Sequence, residues 1–171
     1  MSELKLVPGK YVSVHQRSKD KTFSDKDIEQ HIESGNIPSL TVDDPYHQIE
    51  NSLACAYQIS PDKSFPIYFT SSNTENVKHA LHSSEFVKNN PSVNVIGITD
   101  VLRLHSDKPY KDKNSFDTHD PSELYPAFID LYIMAHSACV SYGKLGFGLL
   151  GARISGEKCM IANRRTKCHV N

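Results

Sequence analysis

The sequence has 171 residues and a formal net charge of −1, with 38% apolar and 23% charged residues. This length and composition predict one globular domain with a hydrophobic core of its own. The near-neutral charge gives no reason to expect nucleic acid or an anionic membrane surface as a partner. No apolar run approaches the roughly 20 residues of a membrane-spanning helix. The first residues also lack the apolar segment of a signal peptide, so we expect a cytoplasmic protein or a piece of a longer one.

The first predicted strand covers residues 10–16 and begins after the turn residues Pro8-Gly9. Tyr11, Val12 and Val14 are aromatic or β-branched, as strands prefer. Helices are predicted over residues 24–35, 45–60, 74–88, 121–137 and 147–155, and further strands over 65–70, 93–98, 139–142 and 158–162. Helices and strands that alternate in this way predict parallel pairing with right-handed crossovers.

The predicted fold is therefore α/β and Rossmann-like, with a mainly parallel five-stranded sheet and helices on both faces. We expect residues 1–171 to form a single domain of this type. The charged stretch 105–121 has no hydrophobic period and predicts a mobile loop. Residues 163–171 are predicted to form a basic tail.

The predicted helix over residues 121–137 is apolar almost all round, which indicates a buried helix. Asp130 is an isolated carboxylate within it, and a buried acid requires a hydrogen-bonding partner.

Four cysteines are present, and none forms the Cys-x-x-Cys pair of a zinc ribbon or a thioredoxin motif. Cys55 and Cys139 have apolar neighbours and are predicted to be small core residues. Cys159 and Cys168 flank the basic tail. The sequence leaves open whether these two form a disulfide, which would require an oxidising compartment.

Polar residues follow several predicted strands at the edge where an α/β sheet binds its ligands. They are His15 and Arg17, then Ser71, Ser72 and Asn73, then Thr99 and Asp100, and finally Tyr142, Gly143 and Lys144. An arginine offers donors that fit a phosphate, and a glycine turn before a helix offers free backbone N–H groups. The alternative is a solvated strand end and a plain tight turn.

Three stretches resemble, in the family's order, the motifs of the fucosyltransferase superfamily that includes the α-1,6- and protein O-fucosyltransferases. His15, Arg17 and Asp20 match its His-x-Arg-x-x-Asp motif. Residues 67–73 are similar to its second motif. Residues 130–137 together with 141–148 are similar to its third.

This resemblance implies the carboxyl-terminal, donor-binding half of a GT-B glycosyltransferase that uses GDP-fucose or a related nucleotide sugar, with no metal and no other cofactor. The acceptor would be a glycan or a protein. Arg17 would be catalytic, because it would hold the β-phosphate and neutralise charge on the departing nucleotide. The substrate-binding residues implied are His15, Asp20, Ser72, Asn73, Asp130, Tyr142, Gly143, Lys144, Gly146 and Phe147.

The sequence departs from the family pattern at several positions. Ser18 stands where a second basic residue often follows the motif arginine, and Ser72 and Asn73 replace acidic residues. A glycine, Gly146 or Gly148, stands where the third motif usually has a serine. The amino-terminal lobe of a GT-B enzyme is also missing from this chain. A catalytically inactive nucleotide-binding or protein-interaction module is therefore the alternative. The compartment would be the secretory-pathway lumen if the chain is part of a Golgi-type enzyme.

Overall fold

The structure is a computed structural model, and it describes residues 4–16, 45–100, 121–143, 146–156, 159–164 and 167–170. The predicted helix over 24–35 and the predicted loop, apart from Pro121, lie outside these residues.

One six-stranded sheet forms the centre of the molecule. Its strands are β1 (Val12–Gln16), β2 (Ile67–Ser71), β3 (Val95–Ile96), β4 (Cys139–Tyr142), β5 (Met160–Arg164) and β6 (Lys167–Val170). They lie in the spatial order β3-β2-β1-β4-β5-β6. The first five strands pair in parallel, and β6 is antiparallel to β5. The predicted α/β fold with five parallel strands is thus confirmed.

Five α-helices are described: α1 (Pro45–Ile59), α2 (Thr74–His82), α3 (Glu85–Asn89), α4 (Tyr125–Ala135) and α5 (Gly146–Ile154). A 3₁₀ turn, Pro121–Leu124, precedes α4. The single helix predicted over residues 74–88 is in fact two helices. The chain breaks after α2 because Ser84 begins a new helix, where its side chain accepts a hydrogen bond from the Val87 backbone N–H.

Helices cover both faces of the sheet, as predicted. Alternate residues of β1 point to opposite faces. Val12 and Val14 pack beneath α1 and α2 in a core that includes Leu53 and Phe69. The opposite core lies beneath α4 and α5 and includes Met134, Val140 and Ala152. Tyr11 is fully buried on this second side, and its hydroxyl donates to the carbonyl of Ile133 at 2.6 Å. Burial raises the pKa of Tyr11, and the nearby Tyr132 adds to this shift.

The stretch predicted to be a basic tail instead contains the end of β5 and the edge strand β6. Residues Ile161 to Arg164 pair with residues Lys167 to Val170 in an antiparallel hairpin. The basic composition of this stretch did not reveal that it forms an edge strand, a position where charged residues are common.

All four cysteines are in disulfides, in a pairing that the sequence analysis did not predict. Cys55 of α1 pairs with Cys168 of β6, and Cys139 at the start of β4 pairs with Cys159 just before β5. Cys55 and Cys139 are buried, as expected, but they are not free core thiols. The pairing depends on tertiary neighbours, since Cys139 begins β4 and Cys159 directly precedes the adjacent strand β5, 20 residues later in sequence.

Helix α4 is not buried on all sides, which corrects the expectation from its apolar sequence. Its inner side carries Asp130, Ile133 and Met134, which are buried. Its outer side carries exposed apolar side chains, with Tyr125 61% and Phe128 62% exposed.

Candidate functional site

The strand order creates a topological switch point between β1 and β4. From β1 the chain builds β2 and β3 on one side, and it later builds β4 and β5 on the other. His15 of β1 lies in register with Tyr142 of β4. The Gly143 N–H donates to the carbonyl of His15 at 3.0 Å, so the turn after β4 begins directly beside the end of β1. Ligands of open α/β sheets bind in the crevice at this point.

The start of α5 packs directly on this switch point. The ring of Phe147 lies 5.1 Å from the ring of His15, centroid to centroid. A Cβ atom at Gly148 would come within 2.9 Å of the Cβ of Tyr142 and 3.0 Å of His15 Nδ1, whereas a Cβ at Gly146 would meet open space. Gly148 is therefore required by close approach, and Gly146 is not. The positive end of the α5 dipole faces the same edge of the sheet, which favours an anion.

A buried amide and hydroxyl network holds the ends of β1 and β2 together. Gln16 Oε1 accepts hydrogen bonds from Ser71 Oγ at 3.3 Å and from Asn76 Nδ2 at 3.2 Å. Gln16 Nε2 donates to Gln48 Oε1 of α1 at 3.4 Å. Gln16, Ser71 and Asn76 are all buried. Because buried polar groups are costly unless satisfied, this network holds the ends of β1 and β2 against α1 and α2.

Ser72 and Asn73 follow β2 at the same edge but have different surroundings. Asn73 is the N-cap of α2, and its side chain accepts a hydrogen bond from the Glu75 N–H at 2.9 Å. Ser72 Oγ is buried and has no hydrogen-bond partner among the described residues. The Asn73 side chain is thus engaged in the fold, while the Ser72 hydroxyl has an unused hydrogen-bonding capacity.

Asp130 has the partners that its burial requires. Its two carboxylate oxygens accept hydrogen bonds from the Tyr68 hydroxyl at 2.5 Å and from Thr70 Oγ1 at 2.6 Å. Asp130 is only 2% exposed. The contacts described for this residue attach α4 to β2, and the predicted hydrogen bond to a guanine stays a prediction.

The structure brings together much of the predicted site. His15, Tyr142, Gly143, Gly146 and Phe147 gather at the switch point, and Ser72 and Asn73 lie beyond the neighbouring strand. Three predicted residues, Arg17, Asp20 and Lys144, lie outside the described residues.

Sequence reasoning missed Gln16 and Asn76, although Gln16 gave a signal. It shares the inward period-two positions of Val12 and Val14, where a polar residue must find buried partners. Asn76 gave no comparable signal, because its partner comes from a distant strand.

Two further findings concern the described residues alone. None of the described helices has the length and apolarity needed to cross a membrane. No group of three histidine, cysteine or acidic side chains there is arranged to hold a metal ion.

Comparison with known proteins gives no family assignment. No family model matches the chain, and no curated protein or solved structure matches it either. The fucosyltransferase resemblance thus remains a prediction from three short motifs.

Proposed function

We propose that the chain is the donor-binding part of a fucosyltransferase-like glycosyltransferase. The carboxyl ends of β1 and β4 would hold the diphosphate of GDP-fucose or a related nucleotide sugar. The observation that carries this proposal is the position of the glycine turn. The Gly143 N–H contacts the His15 carbonyl at the switch point, where nucleotide-binding α/β sheets place their ligands.

The chemistry of this edge suits an anionic group. The N-terminus of α5 offers backbone N–H groups, and the Ser72 hydroxyl offers an unpaired donor among the described residues. Arg17 follows directly after Gln16, whose hydrogen bonds hold the end of β1. A guanidinium in that position would stabilise the charge that grows on the nucleotide as the glycosyl bond breaks.

The disulfides bear on the compartment. Both cysteine pairs are oxidised in the structure, and such bonds persist mainly in secreted and luminal proteins. They favour the secretory-pathway lumen over the cytoplasm.

A catalytically inactive nucleotide-binding or protein-interaction module is the second candidate, and two observations favour it. The Asn73 side chain caps α2, and both oxygens of Asp130 accept hydrogen bonds from the sheet. Two residues that the resemblance assigns to the donor therefore have structural contacts.

Calorimetric titration with GDP, GDP-fucose and UDP-glucose tests the proposal. We expect GDP to bind, and we expect Arg17→Ala to weaken binding by about 1.5–3 kcal/mol, the value of a charge-assisted hydrogen bond. Arg153→Ala is the matched control, because it removes the same charge at the opposite end of α5. Absence of GDP binding, or equal affinity in the Arg17 and Arg153 variants, would refute the assignment. Donor hydrolysis or transfer, measured on the same protein, separates an active enzyme from a binding module.

A further inference from the structure

A second concave surface lies away from the switch point, between the segment that follows β3 and the outer side of α4. It has a volume of about 770 Å³ and is lined mainly by apolar side chains. We call it the α4 cleft; the residues used below are Thr99, Asp100, Tyr125, Phe128, Ile129 and Tyr132. Its volume is within the range of small-molecule sites.

Three aromatic rings of α4 line this cleft from one side of the helix. Tyr125, Phe128 and Tyr132 are spaced by three and four residues, so they share one face. Their exposed fractions are 61%, 62% and 55%. The ring of Tyr132 also packs against His136 at a centroid distance of 4.2 Å, which restrains its position. Exposed aromatic rings that line a concave surface of this volume make it a candidate binding surface.

The cleft carries one formal charge among the described residues that line it, and this charge is negative. Asp100 is exposed at its edge, and its Oδ1 accepts a hydrogen bond from Thr99 Oγ1 at 2.9 Å. Aromatic faces are themselves electron-rich and attract cations. The carboxylate and the rings therefore favour the same sign of ligand charge, and they disfavour the phosphates proposed for the switch point.

We propose that the α4 cleft binds a small organic ammonium ion with an apolar body. The ammonium group would contact the aromatic faces and the Asp100 carboxylate, and the apolar part would lie against Ile129 and its neighbours. This proposal is independent of nucleotide binding, since it uses none of the switch-point residues.

The test is an NMR titration of the whole chain with choline and with its neutral carbon isostere, in which a tert-butyl group replaces the trimethylammonium group. We expect choline to bind and the isostere to bind about tenfold more weakly, because only the charge differs. Asp100→Asn and Phe128→Leu should each weaken choline binding several-fold while leaving the affinity of the isostere nearly unchanged. Leucine keeps an apolar side chain at position 128 and removes the aromatic ring.

Tyr46→Leu is the matched control, because Tyr46 is an exposed aromatic residue on α1, outside the cleft. It should leave choline affinity unchanged. Equal affinities for choline and the isostere would show a merely apolar surface and overturn the proposal. Lack of choline binding would overturn the proposal as well. A thermal unfolding scan of each variant confirms that a loss of binding does not reflect unfolding.

Discussion

Single residues at the switch point differ in how much space surrounds them, and two glycines of α5 illustrate this. We expect Gly148→Ala to lower the free energy of unfolding by about 1–3 kcal/mol, because the added methyl would press on Tyr142 and His15. Gly146→Ala adds the same methyl in open space and should change stability by less than about 0.5 kcal/mol. Urea unfolding of the two variants measures the difference. Similar losses in both would mean that α5 does not pack on His15 as described.

The buried phenol of Tyr11 predicts a loss of stability in alkali. Its pKa in the folded state is raised by burial, so the unfolded chain releases this proton near pH 10 while the folded protein retains it. Stability from this group is complete below about pH 10 and then falls by about 1.4 kcal/mol per pH unit.

Tyr11→Phe isolates this effect from that of the other tyrosines. The variant should lose about 1 kcal/mol at neutral pH, through the hydrogen bond to Ile133, and should show a shallower decline above pH 10. Urea unfolding between about pH 8 and pH 11 checks both points. Parallel declines in the two proteins would show that Tyr11 ionises as easily in the folded state as in the unfolded one.

At the scale of residues, the sequence predicted which side chains are buried better than it predicted which residues they bond to. The requirement that Asp130 be paired was confirmed, yet its partners Tyr68 and Thr70 lie about 60 positions earlier and could not be read from spacing. The cysteine pairing was not predicted, for the same reason. The sequence left a Cys159–Cys168 disulfide open, whereas the fold of the sheet brings Cys159 to Cys139.

At the scale of elements, the Cys55–Cys168 disulfide attaches the edge strand β6 to α1. It closes a loop of 113 residues, against 20 for the Cys139–Cys159 bond. We expect the Cys55→Ala/Cys168→Ala double variant to lose about 4–5 kcal/mol of unfolding free energy, and Cys139→Ala/Cys159→Ala about 3 kcal/mol, because a longer loop constrains the unfolded chain more.

Urea unfolding without reductant gives both values, and hydrogen exchange should show that β6 loses protection in the first variant. Maleimide labelling of the native, unreduced protein is the control and should find no free thiol. Labelled cysteines, or a first variant as stable as the parent, would contradict this account of β6.

Elements with a strong hydrophobic pattern were predicted within a few residues. The nearly unbroken apolar run of β2 and the helical period of α1 gave nearly the observed bounds. Errors occurred where tertiary contacts decide the outcome. The serine pair before α3 ends one helix and caps the next, and the polar strand β6 forms because β5 offers it a free edge. The apolar outer side of α4 predicted burial, since sequence alone does not show whether another element covers it.

At the scale of the whole molecule, alternating helices and strands sufficed to predict a parallel sheet with helices on both faces. They did not predict the order β3-β2-β1-β4-β5-β6, which decides that His15 and the glycine turn are neighbours. The candidate site was predicted from residue chemistry at strand ends. Its supporting Gln16 network was missed, because amides on β1, α1 and α2 meet only in three dimensions.

The central claim is that a nucleotide diphosphate binds between the ends of β1 and β4. A titration of isotopically labelled protein with GDP, followed through backbone amide chemical shifts, tests it most directly. The account predicts that the largest shifts fall on Gly143, on residues 146–148 and on Ser72, and that inorganic pyrophosphate shifts the same amides while guanosine alone does not. Shifts confined to the α4 cleft or to β6, or no shifts at all, would contradict it.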